Sequence, residues 1–310
     1  MALTVSQIAA ASYPAVLAAM RQAANQWAES AFMRELEKQG GIIHKSLGSQ
    51  IEAPLDYRAN AAAAFLVNDM QATSLNKTDV ITAAVYDIAE LSVPIVWSKK
   101  DEVMNPSENQ KIALVKGLLE NGINSHDDAI ETALFTTSTN GFLGLLTHIA
   151  DAGTGSDGGI DSSVETWWKN KQTTYTDDTD IEAGMTSVWN QCAKGSGSKL
   201  TPTLIVSDGA TQALFEGTQQ ANQRYVDSAE LTAGFKILGF KTSRYVFSQA
   251  AGTRQFFVNP KNFQLVVSSE YFRDKGDTQE IPNANGYVSK IYSALQTVTN
   301  NRSRLGSNHL

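Results

Sequence analysis

Residues 78–120 read "TDVITAAVYDIAELSVPIVWSKKDEVMNPSENQKIALVKGLLE", and within this stretch the hydrophobic period changes from two residues to 3.6. The run 79–97 is strand-like: Leu91, Val93, Ile95 and Trp97 alternate cleanly, as in a half-buried strand. The alternation slips phase near Ala89, which predicts a bulge or break. Pro94 cannot donate to a ladder, so it predicts an edge or an irregular pairing. Asn105 then offers a helix cap, Pro106 suits the first helical position, and Glu108 favours the positive end of the helix dipole. From there Ile112, Val115, Leu119, Ile123, Ile130 and Leu134 continue one helical stripe to about Phe135. Such a helix would be roughly 45 Å long at about 1.5 Å per residue. Gly117 and Gly122 weaken it and "NSHDD" at 124–128 resembles a second start, so a kink is expected near residues 121–125.

Upstream, the pattern from Tyr13 to Lys38 is helical. Val16, Met20, Trp27, Ala31 and Leu36 lie near one stripe, with Arg21, Glu29, Arg34 and Glu37 off it, and "QGG" at 39–41 is a stop. This helix stands apart from the segment after it, so its stripe needs a docking surface on its own chain or another. Residues 41–78 carry short alternating pieces (Ile43 to Ile51, then from Tyr57) separated by Gly48, Pro54 and a polar stretch. No continuous apolar face runs through them, and we read a two-stranded projecting loop.

Downstream, "FLGLLTHIA" is a short apolar helix or turn, and "TDIEAGMTSVWNQCAKG" is an amphipathic helix with Ile181, Met185, Val188 and Cys192 on one side. "TPTLIVSDG" predicts a buried strand over Leu204–Val206 ending at an Asp-Gly turn, followed by a helix from Ala210 to about Tyr225. Strand pieces follow in "FKILGFKTSRYVFS", "RQFFVNP" and "FQLVVSS"; "NPKN" predicts a hairpin-type turn between the last two. The C-terminus reads as a short helix or strand with a polar tail. The class is α+β, without a βαβ rhythm or a fixed-period repeat.

Composition bounds the function. The 310 residues are 42% hydrophobic and 18% charged, enough apolar material for a real core. At roughly 150 residues per domain, the length suits two domains or one elaborate one. Net charge is -7, from 25 Lys+Arg against 32 Asp+Glu, with no basic cluster, which argues against sequence-specific nucleic-acid binding. Such a surface is still compatible with facing packed DNA without gripping it. Cys192 is the single cysteine, so intrachain disulfides and thiolate zinc sites are excluded and a reducing compartment fits. The start lacks a basic n-region and Pro14 interrupts its apolar stretch, so no signal peptide is expected. No run of about 18 apolar residues is present, so no membrane span is expected.

Reaction machinery is sparse. His44, His126, His148 and His309 are scattered and form no paired metal spacing. Cys192, on the apolar side of a helix, is read as a small buried hydrophobe rather than a nucleophile. Asp151, Asp157 and Asp161 in "DAGTGSDGGID" are faintly spaced like a calcium loop but lack its terminal Glu, so a connector is preferred. Phosphate-binding glycine motifs are absent. No catalytic residue, cofactor or metal is expected. In "GGIDSSVETWWKN", residues 158–170, Trp167 and Trp168 are adjacent. They suit either a stacking platform for a sugar or base, helped by Lys169, Asn170 and Lys171, or a packing anchor that buries a large area at small entropy cost. The anchor is favoured.

Taken in order, the segments resemble the tailed-phage major capsid proteins of the HK97-like fold. The resemblance lies in "GG" then "IEAPLDYRAN", "TDVITAAVYDIAELSVPIVWS", "NPSENQKIALVKGLLE" leading into "ALFTT", "GFLGLLTHIADAGTGSDGGID" closing on "WWKN", and "FFVNPKNFQLVVSSEYF", across most of residues 38–270. It implies an N-terminal arm helix at 1–40 and an extended E-loop at 41–78. A peripheral (P) domain follows at 79–140, with a spine helix from 106, then an axial (A) domain at 141–253 and a return to the P domain with a C-terminal tail at 254–310. It implies a self-assembling icosahedral shell of pentameric and hexameric capsomers enclosing double-stranded DNA, found in the virion and assembled in the host cytoplasm, with portal and scaffolding proteins as partners. Assembly and packing roles fall on Trp27, Leu36, Tyr57, Trp97, Asn105, Pro106, Leu119, Trp167 and Trp168. Only one helix precedes the E-loop, which points to a separate scaffolding protein or a short self-acting arm. Lys45 and Lys77 lie in the projected loop, but cross-linking is not expected because no catalytic Glu is assignable. An encapsulin-type or gene-transfer-agent shell of the same fold is the close alternative; a glycan-binding enzyme using Trp167 and Trp168 is the alternative of another class. A tail or adhesin protein is opposed by the helical runs.

Overall fold

The computed structural model describes residues 5–22, 30–57, 79–105, 107–177, 179–193, 201–222 and 238–310. The helix expected from Tyr13 to Lys38 is instead two: α1 (Val5–Gln22) and α2 (Ala31–Lys38). Ser30 caps α2 by accepting the Met33 N–H at 3.2 Å, a local start signal that the apolar stripe concealed. Trp27 lies outside the described residues. On α1, Ile8, Ala9, Tyr13 and Val16 are buried against Ile95, Trp97, Val115, Leu119, Ile123 and Ile291 of the same chain. The described part of the arm stripe is therefore covered without a second copy. On α2, Phe32, Met33 and Leu36 enter the main core, and Gly40, at φ +77°, ends the helix.

The chain then enters β1 (Ile42–Lys45), which pairs parallel with residues 265–268, so Lys45 belongs to a sheet rather than to a projection. Next come β2 (Gln50–Asp56) and β3 (Ile81–Asp87), an antiparallel pair in full register from Gln50↔Asp87 to Asp56↔Ile81. The expected phase slip is real: after Ile88 the chain leaves this pair and β4 (Ala89–Ser98) joins a different sheet. There β4 pairs with one strand only, so Pro94 sits on an edge, where its missing N–H costs no ladder bond.

Asn105 does not start the long helix. Ser98 and Asp101 cap one another at the head of a short helix, α3 (Lys99–Met104), and Asn105 closes it by donating from Nδ2 to the Asp101 carbonyl at 2.8 Å. Ser107 takes the N-cap position of α4 (Glu108–Leu134), its N–H donating to Gln110 Oε1 at 3.4 Å; Pro106 lies outside the described residues. Helix α4 runs unbroken through 121–125. Gly122 serves close approach there: a Cβ would fall 2.8 Å from Ile95 Cδ1.

A ribbon of β5 (Ser138–Thr139) and β6 (Phe142–Leu143) leads to α5 (Leu145–His148), then to a second ribbon, β7 (Ser156–Asp157) with β8 (Ile160–Asp161). After a 3-10 turn at Thr166–Trp168 come β9 (Lys171–Thr174), α6 (Ile181–Cys192), β10 (Leu204–Ser207) and α7 (Gly209–Asn222). The Asp-Gly pair at 208–209 opens α7 rather than a free turn, Asp208 Oδ1 accepting the Thr211 N–H at 2.8 Å. Then follow β11 (Leu238–Phe240), β12 (Ser243–Phe247), β13 (Gln255–Val258), β14 (Phe263–Lys275), β15 (Gln279–Glu280), β16 (Gly286–Thr299) and β17 (Gly306–His309).

Two sheets organise these elements. One has the order β1-β14-β16-β15 with β4 on β16; the other has six strands in the order β11-β12-β10-β13-β17-β9. "NPKN" is a corner between them, not a hairpin turn. Asn259 Oδ1 accepts the Lys261 N–H at 2.9 Å and turns the chain. Strand β13 stays in the six-stranded sheet while β14 crosses to the other, so the switch expected at residue 254 comes after β13. The polar tail is likewise structural. Strand β17 pairs with β13 and β9, and buried Asn308 donates from Nδ2 to Gln255 Oε1 at 2.8 Å. The main core joins both sheets to α2 and to the C-terminal part of α4; α1 closes a second core over α4 and β4, and α6 and α7 a third over the six-stranded sheet.

Candidate assembly surface

The hairpin β2–β3 has two unlike faces because strand side chains alternate. Inward, Ile51, Ala53, Leu55, Ala84 and Tyr86 are buried with Trp168, Val266 and Val298. The hairpin thus has a cored base, which its sequence, read as coreless, did not reveal. The fit is close: a Cβ on Gly158 would fall 2.6 Å from the Ala84 Cβ, and the Val85 N–H donates to the Gly158 carbonyl at 3.0 Å. Outward, Ile81 is 67% and Val85 37% exposed, beside Pro54 and Ala83 and flanked by Glu52, Asp56 and Asp87. An apolar stripe on one side of a two-stranded ribbon, left in water, is the feature expected of a contact surface.

The tryptophans fix this ribbon to the body. Trp168 is buried, and its Nε1 donates to the Asp157 carbonyl at 3.0 Å. Trp167 lies 5.4 Å from Trp168 and 5.0 Å from Tyr57, centroid to centroid, and donates to Glu165 Oε2 at 2.5 Å. Tyr57 leaves the end of β2, so the three rings step from the body to the point where the chain departs into residues 58–78. Of the polar groups a platform would need, Asn170 is buried and its Nδ2 donates to the Ala150 carbonyl at 2.9 Å, while Lys171 lies in β9. The geometry is that of an anchor.

Under the anchor lies a buried polar network. His148 contacts Asp157 Oδ2 through Nδ1 at 2.9 Å and Thr297 Oγ1 through Nε2 at 2.8 Å. Arg302, also buried, reaches the His148, Gly155 and Thr147 carbonyls at 2.8, 2.8 and 3.1 Å and Ser162 Oγ at 3.0 Å. Burial presses the Arg302 pKa down, and the neighbouring Asp157 charge works against that. Burial and then the Asp157 charge push the Tyr86 hydroxyl up, so it stays neutral. Thr297, His148 and Asp157 have the connectivity of a hydrolytic triad, yet all three are fully enclosed and the Thr297 hydroxyl donates to the Leu143 carbonyl at 2.5 Å. The network ties α5, the β7–β8 ribbon, β16 and the last turn together. Sequence spacing carried no sign of it, because its members are up to 155 residues apart.

The remaining residues fall into place singly. Leu36 is in the main core; Trp97 and Leu119 lie under α1; Asn105 is a helix end. Lys77 lies outside the described residues. Burial pushes the Cys192 thiol up to about 12, which makes it a poor nucleophile. Asp151 pairs with Arg254, Asp157 with His148 and Arg302, and Asp161 accepts the Ser163 N–H. Among the described residues no cluster of His, Cys, Asp and Glu is spaced to hold a metal, and no helix is long and apolar enough to cross a membrane.

No family model and no curated protein matches the chain in sequence. Solved structures do match in fold. The cyanophage A-1(L) capsid asymmetric unit is 13% identical with a TM-score of 0.59, over 87% of this chain and 90% of that one. The capsid of a native GTA particle is 10% identical with a TM-score of 0.62, over 89% of each. The capsid of Myoviridae phage XM1 is 13% identical with a TM-score of 0.52, over 88% and 90%. The chain has the mixed α+β fold of these capsid subunits along nearly its whole length.

Proposed function

We propose that this chain is a major capsid protein that self-assembles, through pentameric and hexameric capsomers, into an icosahedral shell enclosing double-stranded DNA. The observation that carries this reading is a fold shared with capsid subunits over 87–89% of the chain and 89–90% of theirs. The exposed stripe of Ile81 and Val85 on a ribbon rooted by Trp168 supports it physically. A rigid base transmits position, and an apolar outer face gives a neighbouring subunit something to cover. In this reading α1 and α2 form the arm, the β2–β3 ribbon and residues 58–78 the E-loop, and α4 with the five-stranded sheet the P domain. The six-stranded sheet with α6 and α7 is then the A domain. The acidic balance suits a wall that encloses DNA without gripping its phosphates. Portal and scaffolding proteins are the further partners, and the virion, built in the host cytoplasm, is the location. A gene-transfer-agent shell is a second reading, favoured by the fold match at TM-score 0.62.

The test is the pair Ile81→Glu and Val85→Glu, made together. Both side chains point into solvent, so the isolated subunit should keep its unfolding temperature while losing closed particles in electron micrographs. Normal particles from the double variant would mean that this face makes no subunit contact.

A further inference from the structure

A second buried histidine contacts the same strand, β16, four residues before the His148 contact, and plays no part in the reading above. His126, on α4, is fully enclosed where α1, α4, β14 and β16 meet. Its Nδ1 is 3.0 Å from Asp127 Oδ1 and its Nε2 is 2.7 Å from Ser293 Oγ, and the ring stands edge-on to Phe272 at 5.8 Å. Asp127 is held by Arg273, whose Nη2 reaches its two oxygens at 2.5 and 2.6 Å. Arg273 is itself buried and stands at φ +54°, in the irregular stretch where the β14–β16 register shifts on both sides of Phe272. Its N–H donates to Ser293 Oγ at 2.8 Å and its carbonyl accepts the Tyr13 hydroxyl from α1. One residue therefore joins the bulge to α4, β16 and α1.

The proton count fixes the imidazole. An ionised Asp127 can only accept, so Nδ1 carries its hydrogen, and Nε2 is left to accept from the Ser293 hydroxyl while Ser293 Oγ accepts from Arg273. Every polar atom named is matched with a neutral ring. Protonation would put an Nε2–H against the Ser293 O–H, forcing that hydroxyl to turn. It would also add a second cation beside Arg273 with one carboxylate between them. Among the described residues, the titratable and charged groups around the ring are Asp127 from its own helix, Arg273 from β14 and, at the Arg273 carbonyl, Tyr13 from α1; His44 of β1 lies beyond the Phe272 ring, 5.7 Å from it. We propose that His126 is an acid-sensitive latch: neutral, it holds the Arg273 bulge and through Tyr13 the helix α1; protonated, it releases both. Burial lowers its pKa, Asp127 opposes that, and Arg273 adds to it. With the folded value below the unfolded one, stability from this group is full above the ordinary histidine value and is lost as pH falls from there through the lower folded value.

The experiment follows amide exchange in residues 5–22 of the full chain between about pH 7.5 and about pH 5.5, the interval where histidine changes charge, with intrinsic rates divided out. The latch predicts that protection of α1 falls between the two pH values in the wild type, by no more than about tenfold for one proton over this interval, and stays level in His126→Gln. Level protection in the wild type, or an equal fall in His126→Gln, overturns it. Should that variant not fold, the wild-type His126 ring signal decides by NMR. A midpoint below the ordinary histidine value, coinciding with the loss of α1 protection, upholds the latch; titration without any change in α1 refutes it.

Discussion

Trp168 shows how much of a role one side chain can carry when both its surface and its polar atom are used. It fills the gap between the ribbon and the sheet, and its indole N–H finds a carbonyl, so neither area nor hydrogen bond is wasted. Trp168→Ala should lower stability by about 3–5 kcal/mol, the usual range for a large aromatic truncated in a core. Trp167→Ala, with its ring half in solvent, should cost well under half of that; denaturant titration of both variants checks the contrast. Adjacent tryptophans were legible in the sequence as an anchor, but what they anchor was not, since Tyr57 and Ala84 are about a hundred residues away along the chain. Asn105 is the opposite case. Its residue type suits a cap, and it is a cap, but of the helix before it, because Ser98 and Asp101 had already opened a turn that the proline at 106 overshadowed.

Among elements, α4 was the most legible, because a period of 3.6 over many turns has few competing explanations. Its partner was not. Nothing in the stripe of α1 says whether it lies on this chain or another, and Ile8, Tyr13 and Val16 turn out to cover Leu119 and Ile123. Leu119→Asp places a charge without a counter-ion beneath α1 and should destabilise the fold severely, by several kcal/mol. Thermal unfolding indistinguishable from wild type would mean that α1 does not dock there. The misread elements share one cause. "NPKN" and the final "GSNH" are polar and turn-like, yet the first is a corner between sheets and the second an interior strand. Side chains such as Asn259 and Asn308 reach buried partners distant in sequence, and polarity alone cannot distinguish that from exposure.

At the scale of the whole molecule, α1 closes on its own body, and in the proposed reading the outer face of the ribbon, with Ile81 and Val85 exposed, is a surface for a neighbour to cover. The fold class followed from the order of periods along the chain, whereas the pairing of fourteen-residue β16 with three different strands emerged only in three dimensions. Negative-stain electron microscopy of the purified chain, expressed by itself, tests the central claim most directly. Five- and six-fold rings or closed shells are the predicted result, and a field of separate 33.5 kDa particles at every concentration would contradict it.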